Sequence, residues 1–245
     1  MVEERFDGKQ IPAPEFDNDD GHAWPAVVEA LANFSAGAAD KYAVAGALAG
    51  ARLLVPIVAI LDSAETDDAG HQVEKDSHMA TVTIVRPDGL RGLLAFTGSQ
   101  SMTDWGQECR PLAASAERVA MAALQENADV VILDIAGPNQ FIVETPGLLA
   151  LAEGRIWLPP IDDPEVTAAI HQILANVPGS QNFAFEIQPG SDATDLRVVA
   201  HPSAGTAPLS TTDVVEVLKA AAQDMQNNPL LASRVPQGIE FGLLN

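Results

Sequence analysis

The chain has 245 residues, 47% of them hydrophobic, which is enough for one large or two small globular domains and excludes a mostly disordered chain. Its 34 acidic residues outnumber 13 Lys and Arg, giving a formal net charge of −21, and no basic cluster interrupts the excess. Nucleic acid and anionic membrane surfaces are thereby excluded as expected partners, because both are bound by clustered cations; a neutral or basic protein is not excluded.

The acidity is concentrated in two stretches, 1–20 and 62–78, which read as a solvated tail and a solvated loop because like charges in a run repel and stay hydrated. Residues 1–22 are read as an acidic flexible arm. The single cysteine, Cys109, excludes an intrachain disulfide and any multi-cysteine metal site. The N-terminus lacks the basic, apolar, small-residue order of a signal peptide, and no run reaches the length of a membrane span, so the expected location is the cytoplasm.

In chain order, the Ala-rich segment from Trp24 to Ala49 predicts two helices divided at Gly37. RLLVPIVAIL, 52–61, predicts a buried strand in which Pro56 marks an edge or bulge. MATVTIVR, 79–86, and LRGLLAFT, 90–97, predict a hairpin about Pro87-Asp88-Gly89. Ser101 and Asp104 have capping-box spacing and predict a short helix over 101–108 that ends near Pro111. Ser115 caps a helix to about Asn127; DVVILDI, 129–135, and QFIVET, 140–145, pair across a Gly137-Pro138 turn. Thr145 as cap, Pro146 and Gly154 bound the next helix.

RIWLPPID, 155–162, reads as a connector. Asp163 then opens a helix with the stripe Val166, Ala169, Ile170, Ile173, Leu174 and Val177. NFAFEIQ (182–188) and DLRVVAH (195–201) form a hairpin, Ser210 caps a helix with the stripe Val214, Leu218, Ala221 and Met225, and GIEFGLL (238–244) is a last strand. Helices interleave with hairpins, so the fold class is α+β: two consecutive units, 23–158 and 163–245, with mixed or antiparallel sheets flanked by helices.

Sequence patterns for chemistry are absent. The chain has no P-loop, no dinucleotide-binding glycine pattern, no H-E-x-x-H and no G-x-S-x-G. NDDGH, 18–22, fails as a calcium loop because Phe16 and Val27 fall where carboxylates are required. His71 and His78 share an acidic loop, His171 borders an apolar stripe, and neither arrangement predicts a metal site. Cys109 stands between Glu108 and Arg110, whose opposite charges push a thiol in opposite directions. The stretch LLAFTGSQSMTDWGQE, 93–108, places four hydroxyls and a Trp at a strand-to-helix corner with no neighbouring His.

Three segments carry a family likeness. ALAGARLLVPIVAI, DGLRGLLAFTGSQSMTDW and DVVILDIAGPNQFIVETPGLLAL resemble the N-terminal domain of the SseB family, named for enhanced serine sensitivity, over residues 27–152. Residues 163–245 resemble a divergent C-terminal SseB domain, and the Ala-rich start resembles actinobacterial members. Members often carry Asn-Pro before the Gly-Pro turn; this chain has Asp134-Ile135-Ala136 there. The resemblance implies no activity and no catalytic residue, and the residues themselves lead to the expectation of no cofactor and no metal.

The resulting expectation is a non-enzymatic protein that binds an unidentified protein partner through Phe96, Thr97, Ser99, Asp104 and Trp105. Two alternatives stand beside it. One is an enzyme of serine- or sulfur-related metabolism that uses Cys109 or a hydroxyl at 97–103. The other is a small-molecule sensor with a pocket between the two units.

Overall fold

The computed structural model of the protein describes residues 16, 19–61, 77–191, 193–203 and 211–243. Most of the acidic loop and the Ser210 cap lie outside them, as do His71 and the side chain of His78. The described residues contain eight α-helices and ten strands, and the chain divides into two compact units, the first ending at Trp157 and the second beginning at Leu158. The architecture is α+β.

In the first unit, α1 (Pro25–Ser35) and α2 (Lys41–Leu48) are separate, as expected, with Gly37 in the left-handed region between them. Asp40 caps α2 by accepting from the Tyr42 and Ala43 amides. β1 (Arg52–Leu61) is the middle strand of a sheet ordered β2–β1–β5, with β2 at Ser77–Thr81 and β5 at Arg110–Ser115. Pro56 is therefore in no edge strand. It stands opposite Pro111 of β5. Leu54 exchanges both backbone bonds with Phe96, away from β5, so by alternation the nitrogens of Pro56 and Pro111 also point away from each other and no ladder bond is lost between them.

The segment read as one strand over 79–86 breaks at Val82. β2 pairs with β1, and β3 (Thr83–Val85) pairs with β4 (Arg91–Ala95) in the expected hairpin. The second sheet runs β3–β4–β6–β7, with β6 at Val130–Leu133 and β7 at Phe141–Val143. β4 and β6 are parallel and the other pairs are antiparallel. Both faces of this sheet are covered, which explains why β4 and β6 read as continuous apolar runs. Leu93, Ala95, Val131 and Leu133 face the core built by α1, α2, α4 (Ala116–Gln125) and α5 (Thr145–Ala152); Leu94, Phe96, Val130 and Ile132 face a smaller cluster with Leu54 and Met102.

Three local expectations change. The helix after β4 is α3, Ser99–Trp105, and Gly106 in the left-handed region ends it. Gly98 is its N-cap, so Ser101 sits in the first turn, where its hydroxyl accepts from the Gly98 amide, and Asp104 instead accepts from Gln100. The strand β5 has no signal in RPLAAS beyond its pairing with β1. Glu144, not Thr145, is the N-cap of α5; the Thr145 hydroxyl donates to the Asp129 carbonyl.

The second unit has a sheet ordered β10–β9–β8, with β8 at Phe183–Pro189, β9 at Leu196–Pro202 and β10 at Ile239–Leu243; β10 is parallel to β9. Helices α6 (Pro164–Asn176), α7 (Thr211–Gln226) and α8 (Pro229–Arg234) build its core. On α7 the buried stripe includes Val217, with Leu218 only partly buried. Asp163 caps α6 as expected, and Arg234 at the end of α8 reaches the same carboxylate at 3.0 and 3.2 Å. Desolvation pushes the Arg234 guanidinium down, but the hydrogen bonds it donates to Glu165 and Asp163 hold it above its ordinary value. Arg234→Ala is expected to lower the stability of the second unit by about 2 kcal/mol, since the mostly buried Asp163 loses its cation. Urea unfolding measures this, and a change below about 0.5 kcal/mol would reduce the contact to an ordinary surface pair.

Candidate binding cleft

The carboxyl ends of the parallel strands β4 and β6 lie side by side, and the chain leaves them in different directions, into α3 and into the turn 134–139. Diverging loops at such ends leave a crevice. Here it is a cavity of about 440 Å³ bounded by Thr97–Ser101, by Asp134 and Gly137–Asn139, and by Asp20–Ala23.

Asp134 organises the floor. It is 7% exposed, and its φ of 49° lies in the left-handed region that Asp tolerates better than most residues. That turn aims the carboxylate back across the strand ends. Oδ1 accepts from the Thr97 amide at 2.9 Å and Oδ2 from the Thr97 hydroxyl at 2.7 Å.

The roof is a strap, residues 19–23. Arg52, the first residue of β1, is 1% exposed and fixes it. Its guanidinium donates to the Thr97 carbonyl at 2.9 Å and to the His22 carbonyl, and the Asp19 carboxylate lies 2.8 Å from Nε as an ion pair. The Gly21 carbonyl accepts from the Ser99 amide at 2.8 Å and from the Ser99 hydroxyl at 3.0 Å. The approach is close enough that a Cβ on Gly98 would stand 2.8 Å from the Ala23 nitrogen. A second hollow of about 400 Å³, lined by Asp19, Gly21, Leu54, Ser99, Pro111 and Leu112, lies along the strap. Polar contacts, rather than buried apolar side chains, therefore hold the strap. At its outer side the His22 ring lies 3.3 Å from Asp20, and the His22 amide donates to the Asp20 carboxyl and holds it below its ordinary value.

The five residues expected to form a surface differ in exposure. Ser99 and Asp104 are exposed on α3. Phe96 is 0% exposed and Thr97 5%, so neither presents a surface: Phe96 alternates into the smaller core and Thr97 turns inward to Asp134. Trp105 is half-buried against Phe96, with ring centroids 5.5 Å apart, and anchors α3. Cys109 is half-buried, and burial pushes its thiol above the ordinary value. Alkylation of the folded protein at pH 8 is expected to run several-fold slower than for a free thiol. Labelling at or above the free rate would instead mark an activated cysteine.

Sequence reading missed Arg52, Asp134 and the strap. The first two carried a signal: each is a lone charge in or beside an apolar run, ARLLVPIV and VVILDI. Among the described residues, no group of three or more His, Cys, Asp or Glu side chains is placed to hold a metal ion, and no helix is long and apolar enough to cross a membrane.

Comparison with known proteins bears on this same unit. The family model for the SseB protein N-terminal domain matches residues 27–150, just over half of the chain. The protein belongs to the SseB family. The match takes in β4, α3, β6 and the turn after it, hence the floor and one wall of the cleft; the strap precedes it. No curated protein and no solved structure matches the SseB-family chain.

Proposed function

We propose that this SseB-family protein is a binding or regulatory module whose partner engages the cleft at the carboxyl ends of β4 and β6, without covalent chemistry at that corner. The hydroxyls of the corner carry the reading. Ser99, Ser101 and Thr103 donate to the carbonyls of Gly21, Gly98 and Ser99, and Thr97 donates to Asp134. A nucleophile needs its proton directed to a base and its oxygen directed to substrate. Three of these protons go to backbone carbonyls, and the fourth belongs to a buried Thr whose amide is held by the same carboxylate. The exposed groups at the rim, Asp20, His22 and Asp104, suit recognition.

The partner is proposed to be a cytoplasmic protein, and the second unit a divergent C-terminal domain of the family. The test is affinity capture from the source cells with the full chain, with Asp104→Lys at the rim, and with Asp88→Lys in the β3–β4 turn at the opposite end of the sheet. A protein retained by the parent and by Asp88→Lys but lost with Asp104→Lys is the expected result. Retention by all three counts against the cleft as the contact, and recovery of no protein counts against a protein partner.

A further inference from the structure

We infer that the cleft takes a cationic head group, a guanidinium or ammonium, carried on an apolar stem. The inference rests on the binding reading above and names the ligand class for that site.

Two independent observations lead to it. The first is the buried carboxylate. Asp134 is more than nine-tenths buried, and among the described residues its carboxylate forms no ion pair and accepts hydrogen bonds from one neutral residue, Thr97. A carboxylate offers about four acceptor directions, and these bonds use two. A buried charge is normally matched by a cation or saturated with hydrogen bonds. Asp134 lines a cavity with half of its acceptor capacity unused, so the complement it calls for is a cation with several N–H donors. The nearby Arg52 does not supply it, because that guanidinium is directed to Thr97 O, His22 O and Asp19.

The second observation is the character of the walls. Asp20 and Asp104 add carboxylates at the rim, and among the described residues no Lys or Arg lines the cavity. Ala23, Val28, Leu31 and Pro138 supply apolar wall. A volume of about 440 Å³ is in the range of small-molecule sites. An aliphatic stem against those side chains, with its head at Asp134, meets both kinds of lining. A planar guanidinium fits best, since it can face a carboxylate with two parallel N–H groups. A free small cation would satisfy this chemistry, and so would an arginine side chain of a partner. The net charge of −21 favours the approach of either.

The test titrates the full chain by calorimetry with three probes: agmatine, acetyl-Gly-Arg-Gly-amide, and the same peptide with neutral citrulline in place of arginine. Saturable binding of agmatine or of the arginine peptide is expected, with the citrulline peptide at least tenfold weaker. Asp134→Asn, which keeps the shape and an acceptor for the Thr97 amide, is expected to weaken binding at least tenfold. The exposed double variant Asp20→Asn with Asp104→Asn should weaken it several-fold and serves if Asp134→Asn does not fold. Asp88→Asn removes one charge at the other end of the sheet and should change nothing.

A peptide at least tenfold tighter than agmatine supports a partner segment as the source; agmatine equal or tighter supports a free small cation. No saturable binding of either cation at millimolar concentration overturns the inference. So does equal binding of the arginine and citrulline peptides, or weakening by Asp88→Asn as large as that by the cleft variants. A partner captured through Asp104, combined with no cation binding, would overturn this inference and leave the binding reading standing.

Discussion

Replacing Arg52 with Met is expected to remove about 3 kcal/mol from the stability of the first unit and to free the strap. The guanidinium is the only described side chain that bonds both to the strap and to the corner it covers, and Met keeps the stem's apolar contacts while deleting every polar one. Breaking a buried, hydrogen-bonded cation of this kind costs on the order of 3 kcal/mol, because Thr97 O and His22 O lose a shared donor and Asp19 loses its counter-charge together. The Ser99 amide is the local reporter. It donates to Gly21 O only while the strap is docked, so its hydrogen exchange should accelerate more than that of Leu93 or Val131 in the sheet. Uniform acceleration across the unit would mean that Arg52 supports the whole core; an unchanged Ser99 amide would mean that Ser99 and Gly98 hold the strap without it.

The second large effect belongs to Asp134, and three substitutions separate its backbone from its carboxylate. Asp134→Ala leaves the buried Thr97 amide without an acceptor and places a Cβ residue with no polar side chain in the left-handed region, for a loss of about 3 kcal/mol. Asp134→Gly loses the same hydrogen bonds but relieves the conformational part, so it should be about 1 kcal/mol less damaging than Ala. Asp134→Asn can still accept from the amide and should lose about 1 kcal/mol or less. Thermal melting of the four proteins gives the order. If Gly proved as damaging as Ala, the positive φ would carry no cost at this turn; if Asn proved as damaging as Ala, the negative charge itself would be what orders the corner.

How far the fold was legible depends on how local each signal is. The two N-terminal helices, the β3–β4 and β8–β9 hairpins, and the Asp163 cap are written in short windows: a glycine between Ala-rich segments, Pro-Asp-Gly between strands, an Asp-Pro before an apolar stripe. The SseB likeness was legible for the same reason, because its markers are contiguous. The α3 start was misplaced because Gly98 carries no cap signal of its own; what requires glycine there is the passage of Ala23 and Gly21, distant in sequence, within van der Waals range. β5 carries no local strand signal because the information in its one proline is relational: Pro111 becomes intelligible only opposite Pro56 of β1.

The site followed the same division. Ser99 and Asp104 were legible as exposed polar residues, whereas Phe96 and Thr97 were placed on the surface because nothing local reveals that a strand end turns inward to meet a carboxylate 37 residues later. In sequence the strap reads as a continuation of the acidic tail, since the residue that holds it, Arg52, is 30 residues away.

The facing prolines of β1 and β5 also bear on how this chain behaves at high concentration. β5 is one edge of its sheet among the described residues, and an open edge is where a second chain can add a strand and start an aggregate. Pro111 directs toward that side a backbone nitrogen that has no hydrogen to give, one position before an exposed Leu112 that would otherwise be an adhesive spot. Pro111, which costs the interior ladder nothing, therefore spoils the template at the rim, and it does so by geometry, independently of the ionic strength that screens the protein's negative charge.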